Sequence, residues 1–463
     1  MVNRAGVAPS HEASAHGDEG LALAENVVDR ALAAGATEAE VLVIADDSAL
    51  TRFANSEIHQ NVAESNVLVN LRFVVGRRIA VASTGRMDEE GLAALVLRAA
   101  TIAPNVEELD DWGGLPAPSA HGILVQPLTY VAGTAAATPE SRAAQVRDVI
   151  AAADAAGVVG YGSFRTAAET VSVASSRGIR ASEPRTSAHM ITVHMSPDGG
   201  TGYAEAASTD VATISGAALG AEAAEKARAS DRPMSIEPGE YPVVLEEYAV
   251  VDLVDQLGFL GFSASAVQEG RSFYEPGKRI GSDLVTIADD GADPAGIPAG
   301  FDYEGVAKQR VAWVERGVCR DILYDAQTAA RGGRQSTGHA YPAPNPWGPL
   351  PGNIVMAAGT SSRAELVGGL ERGLLVTRFH YTNTVHPKLA ITTGMTRDGT
   401  FLVEGGRIVG PVKNLRFTQS YLDALAGVSA VARERRTVMG GFGSVVVPAL
   451  RIDAWTFTGA TEH

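Results

Sequence analysis

Apolar residues recur at helical spacing through Leu21, Ala24, Val27, Val28, Ala31 and Leu32. Asp18 ahead of them can cap a helix and Gly35 behind them supplies a left-handed stop, so a first helix is predicted between those two residues. The period then drops to two. Segments 40–45 and 50–54 read as strands, and Val67, Val69, Leu71, Phe73 and Val75 alternate up to Gly76, with Ile79 and Val81 beyond it. This predicts a sheet with one buried face. A second helix over 88–103 closes the unit, with Asp88, Glu89 and Glu90 placed in its first turn, where negative charge opposes the helix dipole.

Residues 104–137 carry Pro104, Pro116, Pro118 and Pro127 among small and acidic residues and read as a connector. The order then recurs. Thr138 caps a helix with Pro139 at its first position and Gly157 at its end, strands follow over 158–207, and a helix spans 210–229. Matching features, such as Ile58 and Ile179, are displaced by about 121 residues. Either a degenerate duplication or chance recurrence of a common order accounts for this. Beyond Pro233 the pattern turns to strands at 240–246, 284–288, 309–315, 374–380 and 401–409. One helix interrupts them over 249–260, where Val250, Leu253, Val254, Leu257 and Leu260 keep helical spacing. The expected class is α+β: a flexible tail over 1–17, an N-terminal α/β domain over 18–233, and a β-rich, mainly antiparallel domain over 234–463.

Charge narrows the function. With 38 Lys+Arg against 54 Asp+Glu the net charge is −16, and no long basic run occurs, so no nucleic-acid partner is expected. The single cysteine, Cys319, excludes an internal disulfide and an all-thiolate zinc cage, which suits a reducing cytoplasm. Residues 5–20 lack the apolar core of a secretory signal, and no uncharged apolar stretch reaches the roughly 18 residues a membrane span needs. A soluble, cytoplasmic protein is expected.

Metal-ligand spacing occurs once, in His11, Glu12 and His16. It falls in the polar tail, where nothing holds ligands rigid, and a five-residue step on a regular helix turns about 140° from the first ligand. His380 and His386 lie close together in sequence without a third ligand, and zinc takes at least three from the protein. Cys319 has no nearby histidine to activate it. The glycines at 440, 441 and 443 lack the lysine of a phosphate loop.

Several segments together resemble the TldD/PmbA family: Val243-Val244-Leu245-Glu246, Gln268-Glu269-Gly270-Arg271-Ser272-Phe273, Phe301-Asp302-Tyr303-Glu304-Gly305, the run from Gly394 to Phe401, and the run from Gly410 to Phe417. The stretch from Arg52 to Gln60 is similar to it too, so the resemblance runs from about residue 20 to the end. It implies a metallopeptidase system of two related subunits. The TldD-type subunit holds its metal with His-Glu-x-x-x-His on the helix after the Val-Val-Leu strand and with a cysteine near the C-terminus. The PmbA-type subunit, also called TldE, lacks them.

On this sequence the first histidine falls at Asp255, the glutamate at Gln256, the second histidine at Leu260 and the cysteine at about Gly440. Leu260 has no lone pair, Gly440 has no side chain, and Gln256 cannot take a proton as a carboxylate can. No histidine occurs between His194 and His339, so sliding the alignment does not restore the motif. The resemblance therefore implies a PmbA-like subunit with no metal or catalytic residue of its own. Zinc is expected in a TldD-like partner that cleaves unfolded or leader peptides, and self-association stays open. Two alternatives are a metallopeptidase with a rearranged site built from His380, His386 and Asp255 or Asp398, and a non-enzymatic protein-binding regulator.

Overall fold

A computed structural model describes residues 11–118 and 128–460. Helix α1, His11–Ala33, begins seven residues ahead of the expected cap at Asp18. The reason is contact with the sheet: the Ser182 hydroxyl donates to the Gly17 carbonyl at 3.1 Å, and a side chain at Gly20 would stand 2.7 Å from Ser172 Oγ. Small residues let the helix lie close on the strands, and small residues carry no periodic signal. The side chains of His11, Glu12 and His16 lie outside the described residues.

Six antiparallel strands follow: β1 (Glu38–Ala54), β2 (Glu57–Val75), β3 (Arg78–Thr84), β4 (Val159–Ser175), β5 (Arg180–Met195) and β6 (Thr201–Ser208). They are ordered β3-β2-β1-β4-β5-β6. The two short strands expected at 40–45 and 50–54 are one strand, β1, whose residues 46–49 are paired on both sides, with β2 and with β4. Asn55 and Ser56 both take positive φ, the backbone a two-residue hairpin requires.

Helices α2 (Glu89–Ile102), α3 (Pro139–Ala155) and α4 (Gly216–Ala229) complete two units of the same order. β4, β5 and β6 start 121, 123 and 123 residues after β1, β2 and β3. In the central antiparallel pair Asp47 stands opposite Ala168, its own counterpart at the 121-residue offset. A pseudo-twofold axis therefore passes between them.

All four helices cover one face. Val41, Val43 and Leu71 pack with Val27, Val28 and Leu95, and Phe164, Met190 and Ala204 pack with Val146, Val149 and Leu219. The alternate residues Leu42, Val171 and Val173 face the other way, onto Phe301 and Val306 of the C-terminal half. The molecule is thus layered as helices, sheet, β-rich half.

The second half is β-rich and mostly antiparallel, as its pattern implies. β7 (Gly239–Leu245) runs into helix α5 (Glu247–Gly261). Strands β8 (Ile287–Asp289), β9 (Val311–Glu315), β10 (Val318–Cys319), β11 (Asn353–Met356), β12 (Arg372–His386), β13 (Ile391–Glu404), β14 (Arg407–Pro411), β15 (Leu415–Ser420), β16 (Val428–Met439) and β17 (Ser444–Ala460) follow. The strand expected over 401–409 is split into β13 and β14 by Gly405 and Gly406, both left-handed. Pairing runs β17-β15-β13-β12-β7 and returns from β7 to β17, closing a five-stranded ring. Trp455, stacked on Phe379 at 4.9 Å, fills its interior with Phe417 and Tyr421. Cys319 is buried, and that burial raises its thiol above the usual range.

Candidate functional site

Helix α5 puts Leu253, Leu257 and Leu260 into the core, and Leu260 is only 3% exposed. Asp255 and Gln256 are half-buried, Asp255 against the loop that joins β16 to β17 and Gln256 against Thr384 of β12. The Gly441 amide donates to Asp255 Oδ2 at 3.0 Å, and a Cβ placed on Gly440 would stand 2.8 Å from Asp255 Oδ1. Positions 255 and 440, far apart in sequence, are therefore neighbours.

Asp255 Oδ1 is buried with no donor, and its carboxyl is pushed up to about 6, mainly by burial. The Gly441 N–H opposes that shift, and the nearby Asp252 charge adds to it. Asp252 itself accepts from the Thr382 and Tyr421 hydroxyls, each at 2.6 Å. Gln256 Oε1 accepts from Thr384 Oγ1 at 3.3 Å.

These residues do not make a zinc site. One carboxylate, an amide engaged by a threonine, a leucine in the core and a glycine offer a single anionic donor where zinc needs three or four. The rearranged set is not brought together either. His380 and His386 stand on β12 opposite Met395 and Ile391, while the Asp398 carboxylate is engaged by Arg378 Nε at 2.6 Å. Burial first, then Arg397 and Arg378, hold the His380 imidazole below its ordinary value. Among the described residues no group of three His, Cys, Asp or Glu side chains could hold a metal.

Beside this spot, between the six-stranded sheet and the C-terminal half, lies a cleft of about 250 Å³. Asp46, Glu169 and Arg185 line it from the sheet, and Tyr303, Lys308 and Phe442 line it from the other side. Arg185 is fixed by Glu183 at 2.7 Å and by the Phe301 carbonyl at 2.8 Å, with its guanidinium 5.3 Å from the centre of the Phe301 ring. Deeper in the same interface Arg72 joins Glu40 at 2.6 Å to Glu304 at 2.8 Å, and burial pushes the Glu40 carboxyl up to about 7.

Sequence reasoning passed over the cleft residues. The one available signal was the polar run from Asp46 to Ser48 in an otherwise apolar segment.

Residues 238–459 match the PmbA/TldA metallopeptidase C-terminal domain, and residues 39–103 match the PmbA/TldA metallopeptidase domain 1. An uncharacterized protein of Methanocaldococcus jannaschii is 40% identical over 101 residues, 21% of this chain and 24% of that protein. A metalloprotease TldD homolog of Buchnera aphidicola is 27% identical over 203 residues, 42% of this chain and 41% of the relative. In neither does the match span more than about two fifths of the relative's own length. The crystal structure of TldE from Thermococcus kodakarensis superposes with a TM-score of 0.87 at 19% identity, over 94% of this chain and 100% of that one, a likeness of fold. With the first and the C-terminal domain matched in order and the whole fold shared, the chain belongs to the PmbA/TldD metallopeptidase family.

Proposed function

We propose that this chain is the metal-free subunit of a two-subunit peptidase that acts in the cytoplasm on unfolded or leader peptides. A TldD-like partner would carry the intact motif, hold zinc and perform hydrolysis, and this chain would contribute assembly surface and part of the peptide's path. The observation that carries the reading is the donor set at the family's ligand positions: Asp255, Gln256, Leu260 and Gly440 supply one carboxylate and no imidazole or thiolate. Asp255 and Gly440 being in contact supports the alignment on which that statement depends.

The test is co-expression with a TldD-like subunit, followed by size-exclusion chromatography, elemental analysis and hydrolysis of an unfolded protein such as casein. A stable complex, zinc confined to the partner, and peptidase activity above that of either chain alone are expected. A tightly held zinc in this chain by itself, or no complex and no change in activity, overturns the reading.

A further inference from the structure

The cleft contains a cation that the chain delivers rigidly and leaves without an acceptor. Lys308 reaches it along a path kept open by three glycines. A Cβ on Gly291 would stand 2.6 Å from Lys308 Cβ, one on Gly338 would stand 2.8 Å from Lys308 Cα, and one on Gly352 would stand 3.0 Å from Nζ. The stem is therefore clamped and the ammonium has a defined position in the cleft lining. Among the described residues no hydrogen-bond acceptor or carboxylate pairs with it.

Two buried carboxylates are close enough to act on it electrostatically, Asp289 and Asp302, but other donors already occupy them. Asp289 Oδ1 meets His339 Nε2 at 3.0 Å, and Oδ2 accepts from the Gly352 and Asn353 amides at 2.7 and 3.2 Å. Asp302 accepts from the amides of Glu304, Val306 and Ala340. The ammonium is half-buried at the cleft wall and its protein neighbours are saturated, so water or a bound ligand is what remains to accept from it.

We propose that Lys308 is an anchor for a carboxylate, and that the cleft takes a short peptide segment ending in a free carboxyl group. The ammonium would receive the carboxylate, while Tyr341, Leu350 and Phe442 offer an apolar wall to the last side chain. The lining sets Arg165, Arg185 and Lys308 against Asp46 and Glu169, a formal net charge of +1 that one carboxylate balances and a dianion such as phosphate would exceed. The peptide nature of the ligand rests on the function proposed above.

The experiment titrates the full-length chain with N-acetyl-Ala-Phe, and separately with its C-terminal amide, by calorimetry at pH 7.5 and low salt. The acid is expected to bind at least about tenfold more tightly than the amide, about 1.4 kcal/mol. Lys308→Met, which keeps the stem and removes the charge, should erase the difference while leaving the circular dichroism spectrum and the capture of a TldD-like subunit unchanged.

Equal binding of acid and amide, absence of binding by both, or an acid preference that survives Lys308→Met overturns the anchor. Should Lys308→Met fail to fold, Lys308→Gln is measured in its place, and an acid preference that survives it overturns the anchor. Partner capture is read separately, so loss of the subunit reading and loss of the anchor are distinguishable outcomes.

Discussion

His194 should make the fold sensitive to acid. It lies on β5 opposite Gly160 of β4, wholly buried, and neither ring nitrogen has a partner. A Cβ on Gly160 would stand 3.3 Å from its Nε2 and 3.5 Å from the Ala153 methyl, so the pocket is tight and apolar. Burial alone pushes its value down to about 4.

A histidine whose folded value lies below its unfolded one contributes stability above the unfolded value, and that stability is lost as pH falls from about 6.5 toward 4. At pH 5 the unfolded imidazole is almost fully protonated and the folded one almost neutral, which costs about 2 kcal/mol relative to pH 7.5. Glu40 and Asp302, both pushed up to about 7, act in the opposite direction, because their protonation favours the folded form. They are present with or without His194, so a variant isolates the histidine.

The assay is urea unfolding of the natural chain and His194→Leu at pH 7.5 and pH 5. The natural chain should lose about 2 kcal/mol more than the variant between the two. At pH 7.5 the variant should match or exceed it, since an unpaired buried imidazole is replaced by an apolar side chain. Identical pH dependence of the two proteins would refute the argument.

Three further outcomes follow from the packing. Arg72→Leu leaves Glu40 and Glu304 buried without their shared cation and should cost about 3–5 kcal/mol, read as a large fall in the thermal midpoint; an unchanged midpoint would show that the cluster contributes no stability. Gly202→Ala puts a methyl 2.1 Å from the Ala223 carbonyl where β6 meets α4, and should destabilise by more than about 2 kcal/mol, whereas Gly133→Ala, with nothing within 4 Å, should be near neutral; equal effects would refute the close approach. Gly440→Val crowds both Asp255 Oδ1 and Val445, so a double-mutant cycle with Asp255→Ala should give a coupling of about 1 kcal/mol in urea unfolding, and additivity would separate the two positions.

The alternation in β2 and the helical spacing on α5 were legible because their large apolar residues keep a period, but the expected single buried face is not what forms: Asn70 and Val74 are buried beside Leu71 and Phe73, and α5 is buried at Tyr248, Ala249, Val250 and Val251 alike. α1 was read short because Gly17 and Gly20 approach the sheet by being small, a kind of contact that leaves no apolar mark. The recurrence at about 121 residues was visible as an order of elements. Only the pairing of Asp47 with Ala168 turns that order into an axis, because register between distant strands is not written in either strand alone.

The cleft shows where local pattern misleads. Asp46, Asp47 and Ser48 look like a turn because a polar run between apolar runs usually is one. In β1 that run is paired on both sides, so its backbone is satisfied as a strand and Asp46 is delivered to the space between the two halves. Lys308 arrives there from a segment more than 250 residues away, and its isolation depends on Asp289 and Asp302 having been taken by backbone amides and by His339. No residue count along the chain contains that information. A polar interruption in the central strand of a sheet whose helices cover one face must open either to the helices or to whatever covers the other face. In this chain the alternation sends Asp46 to the cleft against the C-terminal half and Asp47 to a pocket lined by Glu19 and Leu23 of α1, which makes the β1 interruption a local feature from which the cleft could have been anticipated.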